Sequence, residues 1–132
     1  MKTRSFLLVC AVGLVPIALG YGAKPSTSLD ALFGIPVESV NLTHILRAVM
    51  GLYLGMVVIW VWGAFQPRMA GPALVSCAVF MLGLAGGRLL SFALDGRPHG
   101  LLIVYAVLEL VLGVGAVALY RGTRAEGGAP GA

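Results

Sequence analysis

The sequence predicts an all-α protein: an integral membrane, up-down four-helix bundle with a short interfacial helix between helices 1 and 2. Three observations predict it. Hydrophobic residues make up 59% of the 132-residue chain and charged residues 11%, with a mean hydropathy of +0.98. Soluble domains average about 25% charged residues, and a chain with under half that share cannot cover a water-facing surface. Four apolar runs approach or exceed the roughly 20 residues needed to cross a ~30 Å hydrocarbon core. These runs are continuous rather than alternating, which excludes a β-barrel and leaves helices, because lipid tolerates no unpaired backbone. A soluble enzyme, a disordered tail and a nucleic-acid-binding module are excluded on the same grounds.

The predicted spans cover 5–22, 43–65, 69–94 and 101–120, inside one transmembrane domain of 1–121. The first carries no charge. Lys2 and Arg4 ahead of its apolar run also fit a secretory signal peptide, with Gly20-Tyr21-Gly22 as a weak cleavage site; a retained helix is expected. In the connection 23–42, Pro25 and Ser26-Thr27-Ser28 open a short helix that Gly34 and Pro36 close. Leu29, Leu32 and Phe33 share one face of it, as in a helix lying in the headgroup layer. Gln66-Pro67-Arg68 makes a tight turn, and Asp95-Gly96-Arg97-Pro98-His99-Gly100 another. The Gly/Ala-rich tail 122–132 is expected to be disordered. No internal repeat is evident.

Charge outside the helices sets the expected orientation. Lys2, Arg4, Arg68, Arg121 and Arg124 lie on one side, and Lys24 and Arg97 on the other. That asymmetry places both termini in the cytoplasm. Trp60, Trp62, Phe65 and Tyr120 then form the cytoplasmic aromatic belt, with Tyr21 marking the outer one. The net charge of +4 is spread too thinly to suggest a nucleic-acid partner. Cys10 and Cys77 form no CxxC motif and no metal-ligand spacing, and are expected to pack in the apolar interior.

Three ionisable residues fall inside the spans: Arg47, Arg88 and Glu109. A charge there costs at least ~2.5–3.5 kcal/mol, so each should face the bundle interior and find a partner. At 1.5 Å per residue they lie roughly 6, 9–10 and 12 Å below the same, outer face. The turn near Pro67 supports this, since position 47 mirrors position 87 about it. Arg88 and Glu109 are expected to form a bidentate pair between neighbouring antiparallel helices. Arg47 is expected to join them, with His44 on its own face, Ser91 and Asp95 continuing the Arg88 face, and Tyr105 one turn from Glu109. His44, Arg47, Gly51, Gly55, Val58 and Trp62 would then make the inward stripe of the second span. Gly51–Gly55 and Gly83–Gly87 have the GxxxG spacing that lets helices approach closely.

Two arginines against one glutamate leave a positive excess, to be balanced by Asp95 or by an anion. The cluster therefore has three open readings. It is a structural pair that fixes helix register. It binds an anionic lipid head group or an amphipathic small molecule. Or Glu109 with His44 serves a small membrane enzyme or a proton-coupled transporter. No nucleophile–base pair is evident, so catalysis is the lesser reading. No metal and no cofactor is expected. Membrane lipids, further copies of the chain or a larger membrane complex are the expected partners. The sequon Asn41-Leu42-Thr43 abuts the membrane and is taken as incidental.

Several of these residues also carry a family resemblance. They are Leu32-Phe33-Gly34-Ile35-Pro36, Arg47 ahead of Gly51, Phe65-Gln66-Pro67, Gly86-Gly87-Arg88-Leu89-Leu90-Ser91, Asp95-Gly96-Arg97-Pro98 and Glu109. Over about 6–121 the chain resembles the bacterial membrane family catalogued as domain of unknown function 4345. It is distantly similar to DoxX-like four-helix proteins, some of which accompany membrane redox enzymes. The resemblance implies a four-helix bundle in the bacterial inner membrane, with no established activity.

Overall fold

The computed structural model describes residues 2–127. Five helices follow in order: α1 (Lys2–Gly22), α2 (Pro25–Phe33), α3 (Val40–Phe65), α4 (Pro67–Leu94) and α5 (Gly100–Gly127). Four of them, α1, α3, α4 and α5, are long and apolar enough to cross a membrane. The helical bundle predicted from the sequence is thus observed, with the short α2 between its first two spans. α3 and α4 begin two or three residues earlier than expected, because Ser39 and Gln66 serve as N-caps and Pro67 occupies a first-turn position. At the other end of the chain, α5 runs on through Gly127, so 122–127 are helical rather than disordered. Arg124 stacks 5.7 Å over the Tyr120 ring, and a cation in the last turn favours the helix dipole. The rest of the expected tail, 128–132, lies outside the described residues.

Gln66 alone separates α3 from α4. It caps both, donating its N–H to Trp62 O at 2.9 Å and accepting from Met69 N at 2.9 Å. A link this short forces the two helices antiparallel. The α2 helix ends at Gly34, whose left-handed φ of 65° suits a residue without Cβ. Gly34 N–H donates to Asp30 O and Ile35 N–H to Leu29 O, a Schellman-type stop. Leu29 of α2 is buried, and Phe33 meets His99 of the α4–α5 turn edge-on at 5.9 Å. Thus α2 bridges from α1 to the turn at the end of the bundle opposite the termini.

α1 packs on α3, α3 on α4 and α4 on α5, and α1 also meets α4 across the middle. The core consists largely of small residues with a few large ones: Cys10, Ala11, Ala18, Ala64, Ala73, Cys77, Ala78 and Ala116 around Leu7, Leu74 and Trp60. Lipid supplies no hydrophobic drive between helices, so close van der Waals approach does the work, and small residues permit it. Cys10 and Cys77 are free and buried in this core. The glycines at the tight crossings are Gly22, Gly63 and Gly113, not the GxxxG pairs; a Cβ on Gly22 of α1 would overlap Met50 Cβ of α3. A Cβ on Gly63 would overlap Ala73 Cβ, and one on Gly113 would meet Leu82 Cγ at 2.7 Å. A Cβ on Gly51, Gly55, Gly83 or Gly87 would touch nothing within 4 Å.

Trp60 is fully buried and so does not belong to the expected aromatic belt. Its Nε1–H donates to Ser76 Oγ at 3.2 Å, and Ser76 donates to Ala73 O at 2.9 Å. Trp62 and Phe65 do face outward, with Arg4 stacked 4.5 Å over Phe65. Trp60→Phe should cost about 2–3 kcal/mol, from the lost Ser76 hydrogen bond and the cavity left where the larger indole was fully buried. Thermal unfolding in detergent would measure this; a loss several times larger would show that the indole does more than pack and donate.

Candidate functional site

The inward faces follow a helical period. On α4, Leu74, Cys77, Ala78, Met81 and Ala85 are buried, and Arg88 is the next position of that seam. On α5, Ala106, Glu109 and Ala116 are buried on one face, with Gly113 between them. These two seams face each other because α4 and α5 are packed neighbours. Arg88 lies about 9 Å from the end of α4 and Glu109 about 13 Å into α5, so their side chains meet at one depth.

The two form the side-on pair that shape and charge favour. Arg88 Nε–H donates to Glu109 Oε2 at 2.7 Å, and Nη2–H to Oε1 at 2.9 Å. The side chains retain 18% and 10% of their exposure. Both carboxylate oxygens are engaged, while the Nη1 end of the guanidinium has no part in the pair. The Arg88 guanidinium also lies 5.7 Å from the centre of the Tyr105 ring, one turn from Glu109.

Two openings reach this pair. A cavity of about 90 Å³ is lined by Cys10, Leu14, Tyr53, Tyr105, Glu109 and other apolar side chains of α1, α4 and α5. A groove of about 640 Å³ runs outside α3 and α4, lined by Arg88, Tyr21, Tyr53, Ser91, Gly83 and Gly87 among others. Tyr53 lines both. Tyr21 meets Tyr53 edge-on at 5.8 Å, and Tyr53 meets Phe80 at 5.1 Å. Three phenols thus line the two openings that reach the ion pair.

The remaining expected members lie elsewhere. Arg47 and His44 are exposed on the outward face of α3 and line a separate recess with Glu38, Val40 and Thr43. The whole stripe of His44, Arg47, Gly51, Gly55, Val58 and Trp62 points away from the bundle. Tyr53, Trp60 and Ala64 form the inward side instead. Arg47 lies close enough to the helix end to extend its charge toward the interface, so nothing forces it inward. His44 does not reach Glu109. Ser91 donates to Asp95 Oδ2 at 2.8 Å, and both are exposed at the end of α4. Ser91 borders the groove, but Asp95 turns its charge to its own helix. With Arg47 absent, the pair is formally neutral and the expected positive excess does not exist. Among the described residues, no three His, Cys, Asp or Glu side chains gather as a metal site would need.

A comparison with protein families matches residues 2–120 to the family described as a domain of unknown function, DUF4345. The chain belongs to the DUF4345 family. No curated protein and no solved structure matches it. The Arg88–Glu109 pair therefore gives this DUF4345 chain a chemistry to reason from that the family description does not.

Sequence reasoning missed two residues of the DUF4345 site. In sequence Tyr21 has the position of an interface anchor, and Tyr53 is hidden inside an apolar run. Tyr53 carried a usable signal: it lies about 20 Å into α3, too deep for a belt residue. A buried phenol there calls for a polar surrounding, and Tyr53 lines the groove that Arg88 also lines.

Proposed function

We propose that this multi-pass membrane protein binds the polar head of an amphipathic small molecule at the Arg88–Glu109 pair. One observation carries the reading: a neutral, desolvated ion pair borders both an internal cavity and a groove open to the lipid side, and phenols line both. Arg88 and the phenols Tyr21 and Tyr53, all hydrogen-bond donors, line that same groove. Leu46, Val49, Leu52, Val79 and Phe80 supply apolar wall. A ligand with a hydrogen-bond-accepting head and an apolar body suits such a surface, and it would enter sideways from the bilayer. The neutrality of the pair favours an uncharged accepting head over an anion. The bacterial inner membrane and cytoplasmic termini are part of this proposal, supported by the excess of Lys and Arg at the terminal end. A role as accessory subunit of a larger complex is compatible with it.

A second reading is favoured by the engagement of both Glu109 oxygens: the pair only locks α4 against α5. The two separate on one variant. Gly83 borders the groove with open space around it, so Gly83→Trp fills the groove without touching the pair. Native mass spectrometry of gently extracted protein should show a retained small molecule in the wild type and none in Gly83→Trp, with helical content unchanged. Equal spectra from both proteins would leave only the lock.

A further inference from the structure

The recess at the start of α3 holds opposite charges that do not pair with each other. It measures about 340 Å³ and is lined by Glu38, Val40, Thr43, His44 and Arg47. Among the described residues, the salt bridge is Arg88–Glu109; Arg47 and Glu38 share a recess without closing to bonding distance. Arg47 lies about 10 Å along α3 from Val40, on the lipid side. Side chains of a helix lean toward its N-terminus, so Arg47 and His44 lean out of the hydrocarbon toward the headgroup layer. Glu38 precedes the Ser39 cap and lies farther out still.

The order from the hydrocarbon outward is therefore guanidinium, imidazole, carboxylate. A phospholipid with an aminoethyl head presents groups in the complementary order, phosphate below and primary ammonium above. We propose that this recess is a binding site for a zwitterionic phospholipid bearing a primary ammonium, with its phosphate on Arg47 and His44 and its ammonium on Glu38. Arginine takes two phosphate oxygens at once. The ammonium donates hydrogen bonds to the carboxylate, which a quaternary choline head cannot do. A glycerol head presents neutral hydroxyls, which donate to Glu38 but bring no positive charge to offset it. The site is independent of the Arg88–Glu109 pair, which lines other openings.

The test uses the full chain in detergent, offered phosphatidylethanolamine, phosphatidylcholine and phosphatidylglycerol of identical acyl chains, with lipid retention read by native mass spectrometry. The wild type should retain the ethanolamine lipid about tenfold better than either other, because only its ammonium makes a charge-assisted hydrogen bond to Glu38. Arg47→Ala should abolish that retention, and Arg47→Lys should restore part of it. Glu38→Gln should keep phosphate binding and lose the preference for ethanolamine over glycerol. These residues are exposed, so melting curves of all variants should match the wild type. Gly83→Trp should leave ethanolamine lipid bound, which separates this site from the groove. Equal retention of the three lipids by the wild type, a preference for the glycerol lipid, or unchanged retention in Arg47→Ala would each overturn the proposal.

Discussion

Arg88→Met should destabilise the bundle by about 3–5 kcal/mol, because it leaves Glu109 buried without its partner. Glu109 has only 8% of its surface exposed, and both its oxygens depend on Arg88. Glu109→Leu should cost a similar amount through the stranded guanidinium. The double variant Arg88→Met, Glu109→Leu should regain most of the loss, since a buried pair replaced by apolar side chains of like volume is often neutral or better. Thermal or denaturant unfolding in detergent measures all three, and the cycle yields the coupling directly. If the double variant stays as unstable as the singles, the pair is tied into a larger polar network through Tyr21 and Tyr105. A stable double variant is also the means to ask whether the ion pair, rather than the fold, holds an amphipathic molecule.

Gly63→Leu should be the most damaging change on a residue with no polar role. The position lies where α3 crosses α4 next to their one-residue link. An added Cβ would overlap Ala73 Cβ and approach Met69 O to 3.0 Å. Backbone oxygen cannot move aside as a side chain can, so the hairpin must open. Overpacking costs ~1–3 kcal/mol and occasionally more, and this site allows little relaxation because Leu7 presses from the third side. Gly51→Leu makes the matching control. It adds bulk to open space, so stability should change by no more than about 0.5 kcal/mol. The comparison by melting temperature reads out which glycines pack helices. Equal losses in both variants would show that Gly51 is packed against a second copy of the chain.

Much of the site was legible in one dimension. The level of each polar residue follows from counting along a helix, and the turn at Pro67 aligns α3 with α4. Tyr53 meets Phe80, one residue from its mirror position, which shows how well that counting holds. Arg88 and Glu109 were matched by depth and by charge. The rotation of α3 was not legible. It is so uniformly apolar that no period marks its inward side, and the assumption that a charge must face inward turned it the wrong way. That assumption holds for Glu109, mid-span on a short side chain. It fails for Arg47, which is exposed on the outward face near the start of α3, where a long side chain can extend its charge past the helix end.

The sequence by itself determined that the chain has four helices long and apolar enough to cross a membrane, where it turns between them, and how far along its helix each ionisable group lies. Those follow from hydropathy summed along a chain with a constant rise per residue. Only the tertiary structure decided which way each helix faces. It placed Tyr21 and Tyr53 in the groove that Arg88 lines, put Arg47 and His44 in a recess of their own, and gave the close crossings to Gly22, Gly63 and Gly113. The facing of an apolar helix among apolar neighbours depends on side-chain shape at the contact, and shape is a property of two helices at once.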